Sequence, residues 1–152
     1  MSLEEVKKEY EKYGFTNFKK VNKRLELQVL KLDEVDFLNA LCRVACSNLS
    51  NALNYVAPFF IQGGYYNGVI MSNVTKEDAA GAKDLYKEIM VLYHEALIVQ
   101  FKGESSQIAF FKKFTKEYLL IEEKLIPFVE ICGKVFTINT PKPKSGSRGY
   151  LG

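Results

Sequence analysis

The stretch DEVDFLNALCRVACSNLSNALNYVAPFFIQGG, residues 33–64, decides the fold. Asp33 offers a side-chain acceptor and Asp36, three residues on, an N3 carboxylate. The pair therefore predicts the first turn of a helix that meets no Gly or Pro until Pro58. At 100° per residue, Leu38, Leu41, Cys42, Ala45, Leu49, Ala52, Leu53 and Val56 share one face, which is a core stripe. The opposite face carries Asn39, Arg43, Ser47, Ser50, Asn51 and Asn54, and Arg43 is the only charged residue from Phe37 through Thr75. A solvated helix face normally carries Lys and Glu. This one reads as a covered surface, closed by another segment of the chain, another subunit or a nucleic acid.

Upstream of this helix, Ser2 and Glu5 form a capping box for a short helix to about Lys12, with Gly14 as its stop. Its apolar face, Val6, Tyr10 and Tyr13, is thin, so loose docking is expected. Residues 15–32 fit two patterns. Leu25, Leu27, Val29 and Leu32 nearly alternate with Glu26, Gln28 and Lys31 as a strand does, while Val21, Leu25, Val29 and Leu32 fit a helix. The absence of a clear partner strand favours a helix or an extended arm.

Downstream, Pro58 ends or kinks the long helix. Residues 59–73 hold Gly63, Gly64 and Gly68 among aromatics and read either as a loop or as a short helix packed on a neighbour. Thr75 with Asp78 opens a second long helix, whose apolar positions Ala82, Leu85, Tyr86, Ile89, Leu92, Tyr93, Ala96, Leu97 and Phe101 keep the 3.6 period. Gly103 is expected to close it, and Ser105 or Ser106 to cap a third. That third helix presents Ile108, Phe111, Thr115, Tyr118, Leu125 and Val129 on one side, and Phe110, Phe114, Ile121 and Phe128 on the adjoining one. Pro127 is expected to kink it, and residues 134–138 are compatible with a short strand. The economical solution is all-α: an antiparallel bundle of three long helices with one or two short N-terminal helices. Residues 1–32 are then an N-terminal helix and basic arm, residues 33–139 the bundle core, and residues 140–152 an extended basic tail.

The chain has 152 residues, 47% of them hydrophobic and 26% charged, with four Pro, which suits one globular domain. Net charge is +3, unevenly spread: +3 over residues 1–32, −4 over 33–133 and +4 over 134–152. No basic segment leads into an apolar run, and no apolar run approaches a membrane span, so a cytoplasmic protein is expected. Cys42, Cys46 and Cys132 read as free thiols.

No residue set demands catalysis or a cofactor. Cys42 and Cys46, with His94 and Cys132, make a nominal Cys3His zinc set, but neither His94 nor Cys132 has a second ligand beside it, as structural zinc sites usually do. His94, the only histidine, lacks a nucleophile elbow or orienting carboxylate. Asp84, Glu117, Glu122 and Glu123 suit solvated helix faces. Gly63, Gly64 and Gly68 match neither the dinucleotide fingerprint nor the P-loop. A non-enzyme, with no metal and no cofactor, is the expectation.

The basic residues are more suggestive. Lys19, Lys20, Lys23 and Arg24 cluster beside Phe15 and Phe18; Lys112, Lys113 and Lys116 share the third long helix; Lys142, Lys144 and Arg148 lie in a Pro- and Gly-containing tail. Each group suits nucleic-acid backbone, bound without sequence preference.

From Asn54 onward the chain resembles the small helical subunit of type III-B CRISPR effector complexes. The resemblance rests on Pro58, Ile61, Gln62 and Gly63, then on Phe111, Lys112, Lys113, Phe114, Thr115, Lys116 and Glu117 through Phe128. The double glycine, the N-terminal arm and the tail depart from that pattern. The resemblance implies a non-catalytic subunit that stacks on copies and neighbours along a guide-target duplex, touching backbone through Lys and Arg. Separately from the resemblance, the uncharged face of Asn39, Arg43, Ser47, Ser50, Asn51 and Asn54 is expected to be a subunit contact, unless the N-terminal segment folds back over it. A helical coat protein of a filamentous archaeal virus is physically close to this idea. A protein-only inhibitor or adaptor that docks on a larger enzyme is the alternative of another class.

Overall fold

A computed structural model describes residues 2–27, 30 and 36–139. The tail with Lys142, Lys144 and Arg148, and Asp33 with its neighbours 31–35, lie outside the described residues. Those described form α1 (Leu3–Lys12), α2 (Phe18–Leu25), α3 (Phe37–Val56), a 3-10 turn (Ala57–Phe59), α4 (Gly64–Met71), α5 (Lys76–Val99) and α6 (Glu104–Asn139), with no strand among them.

The three long helices make an up-down-up bundle, and cross-helix contacts fix their directions. Gln107 of α6 donates to Asn39 Oδ1 of α3 at 2.9 Å, Tyr118 donates to Asn48 Oδ1 at 3.4 Å, and Phe59, just past α3, meets Phe128 edge-on at 5.1 Å. Positions rise together along both chains, so α3 and α6 are parallel. Between them α5 runs the other way: Gln100 reaches Cys46 while Tyr86 meets Phe60. Lys113 pairs with Glu95 and Lys124 with Glu88, which confirms the same opposition between α5 and α6.

Each long helix buries the stripe its period predicts. Leu38, Leu41, Cys42, Ala45, Leu49, Ala52 and Val56 of α3 are buried, with Phe37 and Ala40 in addition, while Leu53 is half-buried. On α5 the buried set is Ala82, Leu85, Ile89, Leu92, Ala96 and Val99. Leu97 lies at the edge of that stripe and is exposed, and Phe101 is 93% exposed. The helix has ended by then, and the turn through Phe101 and Lys102 takes the ring off the helical period. On α6, Phe110, Phe111, Phe114, Tyr118, Ile121, Leu125, Cys132 and Val135 are buried, whereas Val129 is exposed.

Helix ends moved relative to expectation. The cap of α3 is Asp36, which accepts from Asn39 N at 2.9 Å, rather than Asp33. Both aspartates offer cap chemistry, and burial decides between them: Phe37 and Leu38 begin the buried stripe, so the helix begins there. Ser105 and Ser106 fall inside the first turn of α6, whose opening carbonyl is that of Gly103, accepting from Ser106 N at 2.9 Å. Gly103 therefore opens α6 rather than closing α5. The Thr75–Asp78 and Ser2–Glu5 capping boxes form as read. Residues 134–138 are the last turns of α6 rather than a strand, because Cys132 and Val135 continue its buried stripe at helical spacing. The helix runs on through Pro127, which is exposed like Glu123, so the carbonyl that Pro127 leaves without a donor lies on the wet side. Residues 64–71 take the helical reading, but only Ile70 of α4 is buried, and Gly68 meets no neighbour.

The N-terminal segment docks tightly, contrary to the thin face read for it. Gly14, at φ +69°, reverses the chain after α1 and returns Phe15 onto Tyr10. Tyr10 is then wholly buried, with ring contacts to Phe15 at 5.0 Å, Phe18 at 5.3 Å and Phe111 of α6 at 6.3 Å. The ambiguous segment supplies α2, ended by Glu26 in the left-handed region at φ +50°, and the turn delivers Leu27 into the core.

Leu49 is fully buried in α3, which packs on both α5 and α6. Leu49→Ala is predicted to cost about 2 to 5 kcal/mol through lost burial and the cavity left behind. A chemical-denaturation midpoint indistinguishable from that of the parent would remove Leu49 from the core.

Candidate functional site

The docking of α1 and α2 on α6 opens one cleft of about 390 Å³. Its floor is aromatic, formed by Tyr10, Phe15, Phe114 and Tyr118, all buried. Its walls are cationic. Lys20 and Arg24 stand one turn apart on α2, Lys112 and Lys116 one turn apart on α6, and all four line the same space. Two basic clusters separated by nearly ninety residues in sequence thus become one site.

Of the ten cations expected to bind backbone, the seven among the described residues do not all converge. Lys19 and Lys23 lie on the other flank of α2, beside Leu3, Glu4, Lys7 and Glu11 of α1, in a space that Lys20 lines as well. Lys113 turns away to α5, where its ammonium donates to Glu95 at 2.5 Å; that hydrogen bond raises its pKa above the ordinary lysine value. Arg24 forms an ion pair with Glu122 and so brings less net charge to the wall. Among the described residues, Lys20, Lys112 and Lys116 have no carboxylate partner. The Lys112 ammonium lies against the Gly14 turn, 3.6 Å from where a Cβ at Gly14 would sit. Glycine suits that position for its positive φ; the contact itself is an ordinary van der Waals distance.

The sequence pattern alone does not mark the floor residues as part of a site. Phe15 and Phe18 beside the lysines were the one visible signal; Phe114 and Tyr118 looked like ordinary core positions of α6. Thr16, Asn17 and Thr115 add polar groups to the lining. The Tyr10 hydroxyl donates to the Thr16 carbonyl at 3.1 Å, which holds the turn that shapes one wall.

The uncharged face of α3 divides as well. Asn39 is engaged within the chain, accepting from the buried Gln107 and donating to Asp36. Ser50 is half-buried, while Arg43, Ser47, Asn51 and Asn54 are exposed. The N-terminal segment packs on the adjoining flank, where Tyr13 stacks on Phe37 at 5.9 Å, and leaves these four uncovered among the described residues.

Cys42, Cys46, His94 and Cys132 are not gathered. Cys42 and Cys132 are buried, Cys46 receives a hydrogen bond from Gln100, and His94 is exposed on α5. No three His, Cys, Asp or Glu side chains group to hold a metal ion among the described residues. No described helix is long and apolar enough to cross a membrane. Compared with known proteins, the chain matches no protein-family profile, no curated protein and no solved structure.

Burial raises Tyr10 and Tyr118 from an ordinary value of 10.0 to about 12, and Cys42 from 9.0 to about 12. A folded-state pKa above the unfolded one means that the unfolded chain loses its proton first as pH rises. The stabilisation is complete below pH 9 and is lost progressively towards pH 12. Melting temperature is therefore predicted to fall across that window, and Tyr118→Phe should flatten part of the fall; an identical slope in the variant would contradict the assignment.

Proposed function

We propose that this protein is a non-catalytic subunit of a nucleoprotein assembly that holds nucleic-acid backbone in the cleft between α2 and α6. The observation that carries the reading is the convergence of Lys20, Arg24, Lys112 and Lys116 on one cleft, three of them without a carboxylate partner among the described residues. Lysine ammoniums act as point charges towards phosphate and discriminate little between sequences. The buried floor rings are too covered to accept bases, so the cleft itself recognises backbone.

The exposed Arg43, Ser47, Asn51 and Asn54 support a second surface, a contact with a neighbouring subunit or another copy. Such groups enter a closed interface without the desolvation cost that Lys or Glu would bring. Arg43 can pair there with a carboxylate or phosphate in a bidentate way. A phosphate-holding cleft and a subunit contact on one small bundle suit the RNA-guided effector complexes of the type III-B resemblance, and equally a helical coat.

Two outcomes are expected. Replacing Lys20, Lys112 and Lys116 together by Glu should abolish binding at moderate salt and leave the melting temperature near that of the parent, since exposed charges contribute little to stability. Each lost phosphate contact should also flatten the log-log salt dependence by about 0.7 to 0.9. Lys19→Glu with Lys23→Glu should do less. Salt-series titrations check this, and a parent that binds no nucleic acid even at low salt would leave the inhibitor or adaptor reading standing. Separately, Asn51→Glu should disperse assemblies without unfolding the monomer, because it places an unpaired charge in a closed contact. Sedimentation and melting read together decide; a variant that is stable and still assembled would mean that this face is simply exposed.

A further inference from the structure

Beyond the cleft, towards the far ends of α3 and α6, the exposed residues include aromatic rings. Tyr118 lies in the cleft and donates to Asn48 of α3. Tyr55 is two turns further along the same face of α3. Tyr66 of α4 reaches the Cys132 thiol of α6 with its hydroxyl. The cleft, Tyr55 and Tyr66 thus follow one another towards the far end of α6. These two rings are 50% and 48% exposed, and the neighbouring Tyr65 is 85% exposed. Tyr55, Tyr65 and Tyr66 stand out as exposed at one end of a bundle whose other large aromatics, Phe101 apart, are at least half-buried among the described residues.

We propose that the nucleic acid held by this protein is single-stranded, with phosphates in the Lys20, Lys112 and Lys116 cleft and bases stacked on Tyr55 and Tyr66. This rests on the reading of the cleft as a phosphate site and adds the substrate class. A positively charged groove followed by exposed rings is the combination that binds single strands, because each base has a π-face and an unpaired strand leaves it accessible. A duplex hides those faces in its own stack and presents only backbone and groove edges. Size agrees: about 390 Å³ is at the small-ligand end of binding pockets, room for a strand but not for a double helix to enter. From Tyr118 to Cys132, α6 itself spans about 21 Å, on the order of six stacked nucleotides.

The test is a fluorescence-anisotropy titration of the full chain with a labelled single strand of about twelve nucleotides, within the usual span of single-strand sites. The same-length abasic strand and the blunt duplex are run alongside. The base-bearing strand should bind about tenfold or more tightly than the abasic one. Tyr55→Ala and Tyr66→Ala should each weaken it by about tenfold with the salt slope unchanged, while Tyr55→Phe and Tyr66→Phe retain binding. Both tyrosines are half-exposed, and melting curves confirm that the variants fold. Equal affinity for base-bearing and abasic strands, or alanine variants that bind like the parent, would overturn the stacking platform and leave the phosphate cleft intact. Failure of the parent to bind any of the three at low salt would overturn both and point to a protein partner.

Discussion

The aromatic cluster that joins α1 to α6 is the contact on which the candidate site depends. Tyr10, Phe15 and Phe18 close around one another after the Gly14 reversal, and Phe111 of α6 receives Tyr10 and Phe15 at 6.3 and 5.1 Å. Aromatic pairs in tilted and edge-to-face geometry add directional preference to plain burial. That preference sets how α2 lies across α6, and hence which cations face each other. Without this cluster the bundle of α3, α5 and α6 still has a core, but Lys20 and Arg24 have no fixed relation to Lys112 and Lys116.

The bundle beneath is registered by polar contacts placed at its boundary. Gln107 to Asn39 and Tyr118 to Asn48 tie α6 to α3, and Gln100 to Cys46 ties α5 to α3. No buried side-chain nitrogen or oxygen lacks a partner among the described residues. Apolar stripes tolerate sliding by a turn at modest cost, whereas a buried amide left without its partner does not. Gln107, the one buried polar side chain among those described, thus fixes the start of α6 against the start of α3.

Charge is distributed to match. The outer faces of α5 and α6 are linked by Glu95–Lys113 and Glu88–Lys124, exposed pairs whose value is solubility and modest orientation rather than stability. The cleft keeps uncompensated cations on its walls, a locally unfavourable arrangement that an anion relieves. The α3 face keeps neither sign except Arg43. Three surfaces of one small domain therefore differ in electrostatic character, and each suits a different neighbour: water, phosphate, and protein.

Much of the fold was legible because helical periodicity is a local property. The stripes of α3, α5 and α6 follow from residues three and four apart, and the Ser2–Glu5 and Thr75–Asp78 boxes from residues three apart. What failed did so where two local readings were equal and a distant contact chose: Asp36 over Asp33, helix over strand at residues 134–138, tight docking of α1 through Phe15 and Phe111. The six lysines and one arginine of the two patches are visible as clusters, but not that Lys20 and Arg24 would reach the cleft while Lys19 and Lys23 would not. Nor does any local pattern reveal that Tyr55 and Tyr66, on two different helices, both stay exposed. The sequence by itself determined an all-helical bundle, its core stripes and its inventory of cations. Only tertiary structure decided which cations share a cleft and which tyrosines remain exposed, because those depend on packing between residues far apart in the chain, and periodicity carries no information about that.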